Sequence, residues 1–236
     1  MVKQKPETVK GSVFNPEKPN QMPGEKKSFN SLYIPMITPT RDNLVDDQLT
    51  LNLISIAQML KKEYVRVTAT ASTIHIARTE GFKLLKRAIA GMGYPDTDKL
   101  RGFMVDSDIR WDASENEKIA QEVRKADSEG YSFVVPYRIR DNTSLLSPTV
   151  DTDPIVYHAI PIAVYFAEWK NYQPADVAGL GFYYGDLPLD YEFRFNDYGE
   201  DMNFFLDNKI KPKVVKTINL FHVKKMLLGL KEVRYL

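Results

Sequence analysis

Cysteine is absent from all 236 positions, which excludes a disulfide framework, thiolate metal sites and a cysteine nucleophile. Surplus charge of one sign is missing too: 32 basic against 31 acidic residues leave a formal net charge of +1. Sequence-independent nucleic-acid binding runs on excess positive charge, so nucleic acid is not an expected partner. Long apolar runs are lacking. The longest, Ala159–Ala167, has nine residues and ends at Glu168, far short of the roughly 20 needed to span a bilayer. The N-terminus has no apolar stretch of the secretory kind. A chain of this size, 43% hydrophobic, can bury a sizeable core without cross-links. The expectation is a soluble, cytoplasmic protein of one domain with a small appendage.

Residues 1–30 carry six lysines, three glutamates and four prolines with few large apolar side chains. Such a stretch buries too little surface to offset its ordering entropy, which predicts a flexible polar tail. From Ser31 the pattern is that of alternating strands and helices. Leu32–Ile37 reads as a buried strand, and Leu49, Leu53, Ile56, Ala57 and Leu60 recur at helical spacing. Tyr64–Thr68 is a β-branched run. Ile74, Ala77, Gly81, Leu84, Leu85 and Ala88 form a second amphipathic helix, stopped near Gly91 and Gly93. Gly102–Val105 reads as a central strand buried on both faces. Ser114 and Glu117 form a capping box for a helix through Ile119, Val123 and Ala126, and Tyr131–Val135 is another strand. The expected fold is α/β, a mostly parallel central sheet with helices packed on both faces, over residues 31–225. Val214–His222 reads as a late strand. Met226, Leu227, Leu230 and Val233, interleaved with Lys224, Lys225, Lys231 and Arg234, predict a basic amphipathic helix over 226–236. From Lys209 to Leu236 eight basic residues face one acidic residue, a pattern open to peripheral contact with an anionic membrane as well as to packing on the domain.

The sharpest chemical feature is Asp106-Ser107-Asp108, where the central strand ends. Ligands of open α/β sheets bind beyond the carboxyl ends of strands. Two carboxylates at i and i+2 there can converge on Mg²⁺ or Mn²⁺, which take oxygen ligands and leave positions for phosphate; Asp is also common in plain turns. Glu200-Asp201 opens a short helix, where acidic residues are favoured by capping and the macrodipole and where a general base is the other reading. His222 ends an apolar row on a strand, as a core histidine or a ligand. His75 and His158 have no comparable setting. Arg78 sits on an apolar helix face, and a buried guanidinium needs an anionic partner, an internal Asp or a ligand diphosphate. Gly179 and Gly181 permit a close approach to the backbone, or mark a turn.

In order, these pieces resemble the GT-A class of nucleotide-sugar glycosyltransferases, enzymes like family 2. Ile34-Pro35-Met36-Ile37-Thr38-Pro39-Thr40-Arg41 looks like the nucleotide-binding opening, and Ser72-Thr73-Ile74-His75-Ile76-Ala77-Arg78 is similar to the S-x-I-x-x-A-R stretch before the donor-site helix. Met104-Val105-Asp106-Ser107-Asp108-Ile109 is similar to the DxD strand end. Gly179-Leu180-Gly181-Phe182 resembles the glycine turn before the acceptor region, and Gly199-Glu200-Asp201-Met202-Asn203-Phe204 the G-E-D-x-x-F motif. His222 falls where such enzymes place a late histidine. The resemblance spans about Ser31–Lys225.

It implies a metal-dependent transfer of a sugar from a nucleotide-diphosphate donor to an acceptor hydroxyl of a glycan, lipid or protein, with inversion. Thr38, Pro39, Thr40, Arg41, Arg78, Asp106, Ser107, Gly179 and Gly181 would bind the donor. Asp106, Asp108 and His222 would hold Mn²⁺ or Mg²⁺, and Glu200 or Asp201 would be the base. The sequence departs from the family in two places: Thr79 follows Arg78 where many relatives have Asn, and Tyr64–Thr70 has no acidic residue to read the base. A sugar-nucleotidyltransferase is disfavoured, because no glycine lies between Ser31 and Gly81 to build its phosphate loop. A binding protein that keeps the fold without catalysis is the other alternative.

Overall fold

The computed structural model describes residues 28–40, 47–94, 100–137, 143–147, 159–161, 171–172, 174–175, 177–194, 199–225 and 232–234. Residues 1–27 of the expected tail, Arg41, His158 and residues 226–231 of the expected C-terminal helix lie outside them.

A short helix α1 (Phe29–Leu32) leads into β1 (Tyr33–Thr40), whose eight residues are all buried. A strand buried on both faces has no need to alternate, which is why its sequence reads as a continuous apolar run. Then follow α2 (Asp47–Met59), β2 (Glu63–Thr70), α3 (Ile74–Gly91), β3 (Arg101–Val105) and β4 (Ile109–Arg110). Next come α4 (Asn116–Glu129), β5 (Phe133–Val134), β6 (Thr143–Ser147), β7 (Ala159–Pro161), β8 (Val177–Ala178) and β9 (Phe182–Asp186). The last elements are α5 (Glu200–Asp207), β10 (Lys213–Val214), β11 (Phe221–Lys225) and β12 (Glu232–Arg234).

The central sheet has the order β10-β5-β9-β3-β1-β2. β2 and β3 both pair parallel with β1, β10 pairs parallel with β5, and β9 runs antiparallel between β3 and β5. The sheet is therefore mostly parallel with one reversed strand. Leu49, Leu53 and Ile56 of α2 share a core with Ile119 and Val123 of α4 on one face. Phe82, Leu85 and Ile89 of α3 join Phe204 and Phe205 of α5 on the other. From β1 the chain goes one way over α2 to β2, and returns over α3 on the opposite face to reach β3. The direction of winding reverses between β1 and β3, and a crevice opens beyond the ends of strands at such a switch point.

Two small sheets flank this one, β12-β11-β4 and β7-β6-β8. Behind β4 the chain is locked by a ring of buried side chains. Asn52 of α2 donates to the Trp111 carbonyl (2.9 Å), Trp111 Nε1 to Asn116 (2.7 Å) and Asn116 to Asn52 (3.2 Å). Each buried polar group is thereby satisfied.

Three local expectations need correction. Glu232–Arg234 is a strand paired antiparallel with Val223–Lys225, not the end of a helix; three residues with one apolar side chain fit either period. The run 214–222 is broken into β10 and β11. Ser114 does not cap a helix: Ala113–Glu115 forms a 3₁₀ turn that winds into α4, whose N-cap position is Glu115.

Gly102 tests the β1–β3 packing. A Cβ there would lie 2.4 Å from the Pro35 carbonyl oxygen and 2.5 Å from the Pro35 ring, neither of which can swing aside. Gly102→Ala is expected to lower stability by about 1–3 kcal/mol through overpacking, outweighing the gain of roughly 0.4–1 kcal/mol from a stiffer unfolded chain. An unchanged denaturant midpoint would contradict the packing described.

Candidate active site

Five separate segments meet at the switch point. Arg78, one turn into α3, is 2% exposed and is the hub. Its Nη2 donates to both oxygens of Asp106 (3.2 and 3.1 Å). Its Nη1 donates to Glu200 Oε1 (3.5 Å) and to Asp201 Oδ1. The apolar packing sets this up. Phe82 lies four residues after Arg78, and Phe204 and Phe205 three and four after Asp201, so each charged group shares a helix face with an aromatic one. Phe193 stacks parallel on Phe204 at 5.3 Å and meets Phe82 edge-on at 5.2 Å. These contacts clamp α5 against α3 and bring the acidic start of one to the arginine of the other. Arg78 also lies over the Phe193 ring at 5.9 Å, a favourable place for a cation.

Gly199 carries the turn that aims α5. Its φ of 79° and ψ of 162° fall in a region essentially reserved for glycine. The turn before β9 ties the two acidic motifs together: Leu180 N–H donates to Asp201 Oδ2 (3.1 Å), while the Gly181 carbonyl accepts from Asp106 N–H (3.0 Å). Both Asp201 oxygens are therefore engaged. Glu200 has only the long contact to Arg78, and its Oε2 makes no hydrogen bond within the described residues. Thr79 receives the Phe193 N–H (2.9 Å) and donates to the His75 carbonyl (3.0 Å), and so anchors the 191–194 segment.

A second pair lies beside the first. His222 Nε2 is 2.9 Å from Asp108 Oδ2. β4 pairs antiparallel with β11, setting His222 opposite Ile109, and Val223 N–H donates to the Asp108 carbonyl (2.8 Å). Buried Glu115 accepts from the Asn219 N–H (3.2 Å) and fixes the approach to β11.

Burial pushes the Asp106 carboxyl up to about 7; Arg78 opposes this, and the charges of Asp108 and Asp201 add to it. Asp108 is held below the usual range: burial would raise it, but the hydrogen bond and charge of His222 prevail. The bond to Asp108 raises His222 against an opposing effect of burial. Burial works against the Arg78 charge, but Asp106, Asp201 and Glu200 outweigh it and keep the guanidinium protonated.

The remaining expected donor contacts are placed differently. Thr38 and Thr40 are buried, on the β1 face of Ile34 and Met36 rather than that of Arg78, and Thr38 Oγ1 accepts from Arg66 (3.2 Å). The Pro39 carbonyl accepts the Ser107 N–H (3.2 Å). Gly179 and Gly181 are buried in the turn. Among the described residues no group of three or more His, Cys, Asp or Glu side chains is gathered as for a metal ion. Asp106 has given both oxygens to Arg78. Asp108 and His222, a hydrogen-bonded pair 2.9 Å apart, are the two side chains that could share a cation, since neighbouring ligands about 2.1 Å from an octahedral ion stand roughly 3.0 Å apart.

Sequence reasoning missed Tyr137, which follows β5 and bridges in parallel to Leu220. Burial and the charges of Asp106 and Asp201 hold its hydroxyl well above its ordinary range, so it stays protonated.

No protein-family model and no curated protein matches the chain. Among the described residues no helix is long and apolar enough to cross a membrane.

Proposed function

We propose that the protein is a glycosyltransferase of GT-A type, which moves a sugar from a nucleotide-diphosphate donor to an acceptor hydroxyl of a glycan, lipid or protein. The observation that carries this reading is the meeting of Arg78, Asp106, Asp108, Glu200, Asp201 and His222, from four segments, where the sheet reverses its winding. Four carboxylates there face the Arg78 guanidinium and the His222 imidazole, and the charge of buried Arg110 also acts on Asp108. A diphosphate adds further negative charge, so its entry calls for a cation. Asp108 and His222 would hold Mn²⁺ or Mg²⁺, with the other positions left to phosphate oxygens and water, and the ion would stabilise the departing diphosphate as a Lewis acid.

The chain's own groups divide the remaining work. Glu200 Oε2, which makes no hydrogen bond among the described residues, takes the proton of the acceptor hydroxyl as its oxygen bonds to the anomeric carbon. The bond from that carbon to the phosphate oxygen breaks on the opposite side, which inverts the configuration. Asp201, tied to Arg78 and to the Leu180 N–H, positions the first turn of α5. Arg78 supplies a fixed positive charge beside the diphosphate.

Release of nucleoside diphosphate from a panel of UDP- and GDP-sugars in Mn²⁺ buffer tests the reading. Metal-dependent release that disappears in Asp108→Ala is expected; equal release from that variant would contradict it.

A further inference from the structure

The site holds one aromatic ring that the transfer just described does not use. The Tyr137 ring lies nearly parallel to His222, with an interplanar angle of 16° and centroids 6.3 Å apart, within the range of offset stacking. Its far edge rests directly on Gly181. A Cβ at that glycine would stand 2.3 Å from Tyr137 Cζ and from its hydroxyl oxygen, and 2.4 Å from Cε1. The close approach that Gly181 permits is thus taken by this ring. Gly181 is also the residue whose carbonyl receives the Asp106 N–H. One ring therefore bridges the turn that holds Asp106 to the imidazole that faces Asp108.

We infer that Tyr137 is a positioning residue of this site: its ring, seated on Gly181, orients the His222 imidazole toward Asp108. The His222 side chain is 26% exposed, and the hydrogen bond to Asp108 leaves its ring some rotation about the side-chain bonds. A flat ring stacked on it restricts that rotation and keeps Nε2 on the carboxylate, in the way outer partners of metal-binding histidines fix ring orientation. The ring does this, so the hydroxyl is dispensable. The geometry stands whatever the protein transfers; only the consequence for metal binding rests on the glycosyltransferase reading.

The chain has three histidines, so the side-chain nitrogen resonances of His222 are readily assigned by NMR at one fixed pH with no metal added. Wild type, Tyr137→Phe, Tyr137→Ala and Gly181→Ala are compared. Tyr137→Phe keeps the stack and should leave the His222 nitrogen shifts unchanged. Tyr137→Ala and Gly181→Ala should both move them toward those of a solvent-exposed imidazole. The glycine variant keeps every aromatic side chain, and its new methyl meets the far end of a side chain rather than backbone, so it displaces the ring without unfolding the domain. If Tyr137→Ala fails to fold, Gly181→Ala decides. Unchanged shifts in Gly181→Ala, or an equal change in Tyr137→Phe, would overturn the inference.

Mn²⁺ affinity by electron paramagnetic resonance is the second readout. The two ring-displacing variants are expected to bind about 10- to 100-fold more weakly, the usual cost of losing an outer-shell partner, while Tyr137→Phe stays near wild type. Absence of Mn²⁺ binding by wild type would count against the metal reading alone, and the nitrogen shifts would still decide the role of Tyr137.

Discussion

Arg78→Met is expected to cost the metal-free protein about 3–5 kcal/mol at pH 8, the usual penalty for stranding buried charges by removing their partner. Arg78 is 2% exposed and the three carboxylates it binds are 14–17% exposed, so solvent cannot replace it cheaply. The loss should also depend on pH in a definite direction. The Asp106 carboxyl already stands at about 7, raised by burial and held down by Arg78; without the guanidinium it rises further. A group whose folded pKa exceeds its unfolded value, about 3.9 for Asp, contributes stability fully below that value. The contribution is lost as pH climbs through the folded one. The variant should therefore regain stability as pH falls from 8 toward 5, narrowing the gap to wild type. Denaturant titrations at pH 5 and 8 check this. A gap that is constant with pH, or wider at pH 5, would show that the three carboxylates are not what Arg78 compensates.

Glu200→Gln should lower kcat by about 10²–10⁴-fold with little change in KM, as expected when a general base is removed and its shape kept. Asp201→Asn should behave otherwise. Asp201 spends one oxygen on Arg78 and the other on the Leu180 N–H, so its loss should reduce stability as well as turnover. Steady-state kinetics with thermal unfolding separates the two. If Asp201→Asn loses kcat alone and Glu200→Gln stays active, the roles are exchanged.

Much of the fold was readable because its core elements carry their own periodicity. β1, α2, β2, α3 and β3 follow directly from apolar spacing, and Arg78 on an apolar face announced that it needed an anionic partner. Strand partnership was not readable. Nothing in Phe182–Asp186 says that it runs backward between β3 and β5, because pairing is decided by which edges are free once the parallel units have formed. The same limit hid the β4–β11 pairing that brings His222 to Asp108, and made 232–234 look helical. The acidic motifs marked two segments that the fold brings together around Arg78, with Asp106 serving Arg78 through both oxygens. Thr38 and Thr40, at the end of the right strand, lie on its other face. Tyr137 gave no signal of its own; Gly181 was the clue, an opening whose occupant the sequence does not name.

The glycosyltransferase we propose binds a nucleoside diphosphate at this cluster through a divalent cation held by Asp108 and His222. Calorimetric titration of UDP and GDP, each with and without Mn²⁺, on wild type and Asp108→Ala tests it most directly. Binding of one nucleotide that requires Mn²⁺ and vanishes in the variant is the predicted result. Absence of binding by the folded wild type under all four conditions would contradict it, and would leave the four carboxylates as the structural counter-charges of Arg78 and His222 in a protein that keeps the fold without the reaction.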